Sequence, residues 1–128
     1  MSYHFSKKLD VPFDQAVSRV TEALKTEGFG LLTDIDVSAT LKAKLKQDFR
    51  PYRILGACNP ELAYRALTLE DKIGTMLPCN VIVQQHTAGR VEVSAVDPVA
   101  SMQAIDNPAL AGVAKEVQAK LKRVIEGL

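Results

Sequence analysis

The segment that decides the fold is CNPELAYRALTLEDKIGTMLPCNVIV, residues 58–83. Near its start, Asn59-Pro60 is typical of a helix N-cap followed by the first helical residue, because proline lacks only an N–H group that would be unpaired there. The predicted buried face of this helix consists of Leu62, Ala63, Ala66 and Leu67. After breaks at Gly74 and Pro78, the chain resumes at Cys79-Asn80 and enters an apolar strand. The predicted helix thus lies between two Cys-Asn pairs, and the second pair opens the strand that follows.

Strand patterns lie on both sides of this segment. Alternation of polar and apolar residues, or a short apolar run bounded by turn residues, is the pattern that predicts a strand. It occurs over about residues 2–9, 29–35, 52–57, 81–86 and 90–96. The last two strands are joined by Thr87-Ala88-Gly89, which predicts a hairpin.

Three further helices have recognisable ends. The first runs from the Pro12 region to Gly28, since glycine enters the left-handed C-cap without strain. The second is capped by Ser38 and ends at Pro51. The last begins at Asn107-Pro108 and keeps strict three-and-four spacing of its apolar residues. The predicted apolar stripe of the second helix consists of Leu41, Leu45 and Phe49.

The order of elements is therefore β-α-β-α-β-α-β-β-α, with a short turn or helix after Asp97-Pro98. Helices between some strands and a hairpin near the end predict an α+β fold, with a mixed sheet and helices packed mainly on one face. The chain has 128 residues, the usual size of one domain, and its sequence contains no repeat or dividing linker. We therefore expect a single domain over residues 1–128.

The composition narrows the class of protein. A hydrophobic fraction of 47% is enough for an ordinary globular core, and the net charge of +1 gives no general attraction to nucleic acid or to an anionic membrane. Aromatic residues make up 5% and tryptophan is absent, which leaves little for stacking on bases. The sequence contains no apolar run of transmembrane length. With two cysteines and no export signal, the expected location is the cytoplasm.

Cys58 and Cys79 are the first candidates for chemistry, because each lies where a strand meets a turn or helix cap. A thiol beside a helix N-terminus has its thiolate favoured by unpaired N–H groups, which predicts a reactive Cys58. If the strands at residues 52–57 and 81–86 are neighbours, the two thiols lie close together. The alternative is that both are small buried hydrophobic residues, as free cysteines usually are.

The remaining chemical motifs are incomplete. The sequence contains no nucleophile elbow and no glycine-rich phosphate or dinucleotide loop, so whether the protein is an enzyme stays open and no cofactor is indicated. Two cysteines and two histidines without paired spacing do not predict a zinc site. A basic stripe of Lys42, Lys46 and Arg50 is either an anion-binding surface or a solvated helix face.

Two motifs, together with a closing strand and turn, resemble the family named domain of unknown function 302 (DUF302). The motifs are Ile54-Leu55-Gly56-Ala57-Cys58-Asn59-Pro60 and Leu77-Pro78-Cys79-Asn80-Val81, and the closing strand and turn are Val93-Ser94-Ala95-Val96-Asp97-Pro98. The resemblance extends weakly over nearly the whole chain. It implies a small bacterial or archaeal α+β protein and a homodimer, and it supplies no activity.

Three functional hypotheses follow, of which a binding module is favoured. Its small-molecule or anion ligand would lie where the segments Cys58-Asn59-Pro60 and Pro78-Cys79-Asn80, the corner segments, meet. The predicted ligand-binding residues are Cys58, Asn59, Pro60, Cys79 and Asn80. The second hypothesis is a thiol redox protein that uses Cys58 and Cys79. The third is a structural or interaction protein that dimerises through its last helix or an edge strand.

Overall fold

The computed structural model describes residues 2–87 and 89–128. The five strands are His4–Leu9 (β1), Gly30–Asp36 (β2), Tyr52–Cys58 (β3), Cys79–Gln85 (β4) and Val91–Val96 (β5). The α-helices are Phe13–Thr26 (α1), Val37–Leu45 (α2), Pro60–Leu69 (α3), Pro98–Ser101 (α4) and Leu110–Glu126 (α5), and a 3-10 helix covers Ile73–Met76. The predicted α+β class and element order are confirmed. Of the hairpin turn predicted at Thr87-Ala88-Gly89, Ala88 lies outside the described residues.

The five strands form one sheet in the order β1-β5-β4-β3-β2. Every neighbouring pair is antiparallel, so the prediction of a mixed sheet is wrong. The reason lies in the connections. The helical segments after β2 and β3 each return the chain to an adjacent strand, and α1 carries it from one edge of the sheet to the other. A parallel neighbour would require a crossover between adjacent strands.

The helices α1, α3 and α5 pack on one face of the sheet, here called the inner face. Alternate residues of the central strands point to this face, among them Leu55 of β3 and Val81 and Val83 of β4, and all three side chains are fully buried. The helices pack against these residues with Val20 of α1 and Leu121 of α5, which are also fully buried. The predicted packing of helices mainly on one face is therefore observed. Across the described ranges, no helix combines the length and apolar character needed to cross a bilayer.

Helix α2 departs from its prediction. Asp36 caps it in place of Ser38, since the Ala39 N–H donates to Asp36 Oδ1 at 2.9 Å. The helix ends at Leu45, well before Pro51, and every one of its residues stays at least partly exposed. Because α2 joins β2 and β3, the two strands at one edge of the sheet, it has little sheet surface to pack on. The predicted apolar stripe is therefore not part of the core.

Strand β2 contains a bulge that matters for the site. The register with β3 shifts between Leu31 and Thr33, so Leu32 is an extra residue on the β2 side. Its side chain is 66% exposed. The bulge thus directs a large apolar side chain away from the core at the edge of the sheet.

Gly56 is the most tightly enclosed of the glycines in the described residues. A Cβ atom there would overlap Thr33 Oγ1 and approach Pro78 Cγ to 2.8 Å. The side chains of β2 and of the segment before β4 thus close over the glycine from two sides. Glycine is required at this position because neighbouring side chains approach the backbone closely, and not because the backbone angle is unusual.

We expect Gly56→Ala to lower the free energy of unfolding by about 1–3 kcal/mol, because the added methyl group must displace Thr33 or Pro78. Gly30→Ala, in the neighbouring strand, is the matched control, since a Cβ there meets no atom within 4 Å. Urea denaturation of both variants measures the difference. Equal stability of the two variants would contradict the crowding at Gly56.

Candidate functional site

An apolar cavity of about 320 Å³ lies between the inner face of the sheet and helices α3 and α5. It is located where β3 ends and β4 begins. Its lining consists of Phe29, Leu32, Ala57, Cys58, Asn59, Leu62, Ala63, Ala66, Leu67, Gly74, Leu77, Pro78, Cys79, Met102, Val113, Ala114 and Val117. We refer to this space as the apolar cavity.

Small side chains on three elements leave this space open. Ala57 of β3, Ala66 of α3 and Ala114 of α5 all line the cavity and are buried. Interiors otherwise pack at the density of organic crystals, so a group of facing alanines without large neighbours between them produces a void. Alanine on facing elements is a sequence signal for the cavity, but it requires knowing which elements face each other.

The pairing of β3 with β4 brings the corner segments together. Ala57 lies opposite Cys79, so Cys58 is one residue out of register with Cys79 on the adjacent strand. Both cysteines are free thiols and both line the apolar cavity. The strands that carry the two thiols are neighbours, as their predicted proximity required, and both thiols line the same cavity.

The predicted binding residues divide into two groups. Cys58, Asn59 and Cys79 line the apolar cavity. Pro60 is exposed in the first turn of α3, and Asn80 is exposed on the opposite face of the sheet. Strand alternation explains the separation of the two β4 residues, because Cys79 points to the inner face and Asn80 therefore points away from it.

Asn59 connects two helices. Its Oδ1 accepts from the Leu62 N–H at 3.3 Å, which confirms the predicted N-cap of α3. Its Nδ2 donates to the Glu27 carbonyl at 3.2 Å, at the end of α1. One half-buried amide thus fixes the start of α3 against the end of α1, and both of its functional groups are paired within the fold.

The same contacts leave few donors for an anion at the start of α3. The Ala63 N–H donates to the Asn59 carbonyl at 2.9 Å, and Pro60 has no N–H. Glu61 adds a carboxylate to the first turn. A negative charge there already interacts with the positive end of the helix dipole and repels a second anion.

The basic stripe lies at the other end of β3. Lys42 and Lys46 precede this strand in the chain, whereas the first corner segment begins at its last residue, Cys58. A strand of this length spans about 20 Å. Arg50 is turned toward the sheet, where its Nε donates to Gln84 Oε1 at 2.9 Å. The stripe therefore does not contribute charge to the apolar cavity.

The surroundings of both thiols favour the neutral form. Burial raises the pKa of the Cys58 thiol above its ordinary value. Burial, with a smaller contribution from the nearby Cys58, raises the pKa of Cys79 to about 11. The sequence leaves two readings of Cys58 open, a thiolate favoured by the helix cap and a buried thiol, and the raised pKa of Cys58 favours the buried thiol.

The raised pKa of Cys79 predicts a stability change at alkaline pH. A folded-state pKa of about 11, above the ordinary thiol value of 9.0, gives a stabilisation that is fully present below pH 9 and is lost as the pH rises through 11. We expect the free energy of unfolding to fall by about 3 kcal/mol across this window from Cys79 alone. Urea denaturation at several pH values, compared between the native chain and Cys79→Ala, isolates this part of the slope. Identical slopes would show that Cys79 does not titrate as expected.

Within residues 2–87 and 89–128, no group of three or more His, Cys, Asp or Glu side chains is arranged to hold a metal ion. Asn59 is the one amide side chain in the lining of the apolar cavity, and the other lining side chains are apolar or thiols. The chemistry the cavity offers is therefore apolar contact with an amide and two neutral thiols at one end.

Comparison with known proteins agrees with this architecture. The DUF302 family model, described as a domain of unknown function, matches residues 5–128. The chain is also similar to the crystal structure of an uncharacterized conserved DUF302 protein from Bacillus stearothermophilus, with 29% identity, a TM-score of 0.91 and 98% of each chain covered. No curated protein matches the sequence. The resemblance seen in the two motifs is confirmed, and the chain belongs to the DUF302 family.

Proposed function

We propose that this protein binds a small, predominantly apolar molecule in the apolar cavity, between Cys58-Asn59 on one side and Pro78-Cys79 on the other. The observation that carries the proposal is an open space of about 320 Å³ with an almost entirely apolar lining, at the point where both corner segments meet. Binding sites for small molecules are typically concave, largely apolar and supplied with a few polar groups.

The border of the cavity supports a route of entry. Leu32, at the β2 bulge, and Leu67, near the end of α3, both line the cavity and are 66% and 46% exposed. Exposed apolar side chains beside an apolar opening favour the approach of an apolar molecule from water. The deeper lining, which includes Ala66 and Val113, is buried.

An apolar ligand is better supported than an anion. At the N-terminus of α3, Pro60 has no N–H, the Leu62 and Ala63 N–H groups are paired, and Glu61 adds a carboxylate. The basic stripe lies at the other end of β3. An uncompensated charge would lose its hydration in a cavity with this lining. A weakly polar ligand with one hydrogen-bonding group near the thiols fits the same space.

Filling the cavity tests the proposal. We expect Ala63→Leu to weaken binding of indole, used as a small apolar probe, by at least about 10-fold, because the added side chain occupies the space that the probe needs. Ala119→Leu, on an exposed position of α5, is the matched control and should bind like the native chain. Ligand-observed NMR measures the affinities, and native mass spectrometry of protein purified from cells identifies any retained molecule.

Two outcomes would refute apolar binding. One is the absence of any indole binding by the native chain. The other is a panel of phosphate, sulfate and carboxylate anions that raises the melting temperature where apolar probes do not.

A thiol redox function is the second candidate, because Cys58 and Cys79 lie on adjacent strands and are both free. Their raised pKa values act against it, since the thiolate is the reactive form. At pH 7.5 a thiol with a pKa of about 11 is ionised in only about 0.03% of molecules. Binding in the apolar cavity therefore has more support than thiol exchange.

Thiol reactivity distinguishes the two functions. We expect Cys79 to resist an aromatic disulfide reagent at pH 7.5 in the folded protein and to react at once after denaturation, because folding keeps it buried and protonated. The variants Cys58→Ser and Cys79→Ser assign the signal to each thiol. Rapid labelling of Cys79 in the native state, or a Cys58–Cys79 disulfide formed by mild oxidant, would favour the redox function.

Homodimerisation and a cytoplasmic location complete the proposal. Support for a dimer comes from the exposed edge strand β2, where Leu32 and Ile35 are both exposed. An unpaired strand edge is a surface that a second chain can extend. Sedimentation across a range of concentrations distinguishes a dimer from a monomer, and fractionation of cells establishes the location.

A further inference from the structure

A second concave site lies on the face of the sheet opposite the helices, here called the outer face. It is a groove of about 430 Å³ that crosses β1, β5 and β4. Its central side chains are Ser6, Ser94 and Ile82, which lie side by side because Ser6 pairs with Ser94 and Ser94 pairs with Ile82. The sheet itself separates this outer-face groove from the apolar cavity. The two sites are therefore independent.

A short chain of hydrogen bonds runs along the floor of the groove. Ser6 Oγ and Ser94 Oγ are 2.7 Å apart, and Ser6 Oγ and His4 Nδ1 are 2.8 Å apart. The two hydroxyl protons can point toward His4 or away from it. In the first arrangement Ser94 offers a free acceptor to a ligand, and in the second it offers a donor. The chain therefore adapts to a ligand hydroxyl, which itself both donates and accepts.

Further neutral polar groups surround this chain. Asn80 is exposed at one end of the groove. Gln84 is held in place by Arg50, whose Nε donates to Gln84 Oε1 at 2.9 Å. This contact fixes which end of the amide faces Arg50. The groove thus combines hydroxyl, imidazole and amide groups.

One carboxylate, that of Glu92, lines the groove, and one guanidinium, that of Arg50, contacts its lining residue Gln84. Glu92 Oε1 lies 3.1 Å from His86 Nε2, and Lys8 is the direct cross-strand partner of Glu92. Arg50 is stacked on the rings of Phe49 and Tyr52, 4.5 and 5.6 Å from their centres. A charged ligand would meet no concentrated opposite charge among these residues, so a neutral ligand is favoured.

Apolar surface completes the lining. Ile82 and Val96 are part of the floor, and Tyr3 and Tyr52 stand at the two sides. An aromatic ring beside neutral donors and acceptors suits a molecule that has C–H groups on one face and hydroxyl groups at its edge. Cyclic polyols, including monosaccharides, have this distribution of groups.

We propose that the outer-face groove binds a neutral polyhydroxylated small molecule of the monosaccharide class. The hydroxyl chain of Ser94, Ser6 and His4 binds the ligand hydroxyls, and Tyr3, whose ring centre lies 4.9 Å from that of His4, contacts its C–H face. This site neither depends on the apolar cavity nor uses the corner cysteines.

The test is an NMR titration of the native chain with glucose, galactose, mannose and inositol as probes. We expect at least one probe to shift the backbone amides of Ser6, Asn80 and Ser94 in a saturable way. Ser94→Ala should weaken that binding by about 5- to 10-fold, which corresponds to one lost hydrogen bond. Ser101→Ala, whose hydroxyl donates to the Pro98 carbonyl at 3.3 Å away from the groove, is the matched control and should leave the affinity unchanged.

Three results would overturn the proposal. The first is the absence of saturable shifts with all four probes. The second is an equal affinity of the native chain and Ser94→Ala, with the fold of the variant verified by its NMR spectrum. The third is a dimer that buries the outer face in solution. Ala63→Leu, which fills the apolar cavity on the other side of the sheet, should leave the polyol shifts intact, so this proposal and the apolar-ligand proposal can fail separately.

Discussion

The pairing of β3 with β4 is the constraint on which the rest of the structure depends. The register that places Ala57 opposite Cys79 brings the two corner segments to one end of the sheet. It also places Gly56 opposite Asn80, so that Thr33 and Pro78 close over the glycine. A shift of one residue would exchange the two faces of β4, because side chains alternate along a strand. The cavity and the groove would then both lose their lining.

The two sides of this sheet have become chemically different as a result. The inner face meets helices and carries apolar residues, and the facing alanines leave an apolar space between them. The outer face is open to solvent in its central region and carries serine, asparagine and histidine around an apolar floor. Sheets with one packed and one solvated face are ordinary in α+β proteins. In this protein each face has a concave site, and both thiols line the apolar cavity on the inner face.

Local signals predicted part of this arrangement. The Asn59 cap, the end of α1 near Gly28 and the order of elements follow from residue types at fixed positions, which is why the sequence was sufficient for them. The antiparallel pairing and the void beside Ala66 depend on which elements become neighbours, and alternation within one strand does not encode that choice. The exposed α2 shows the same limit, because Leu45 has the correct spacing for a buried face but no surface to pack on. The choice between a thiolate favoured by the cap and a buried thiol at Cys58 stayed open for the same reason, because burial depends on which elements pack around the residue.

A crystal structure determined under xenon pressure is the most direct test of the apolar cavity as a binding site. Xenon enters dry apolar cavities and avoids polar, hydrated ones. We expect xenon bound between Ala66 and Cys79, on the inner side of β4, with α3 and α5 unmoved. Ordered water in that space, or α3 closed onto the sheet so that no space remains, would contradict an apolar binding cavity at the meeting point of the corner segments.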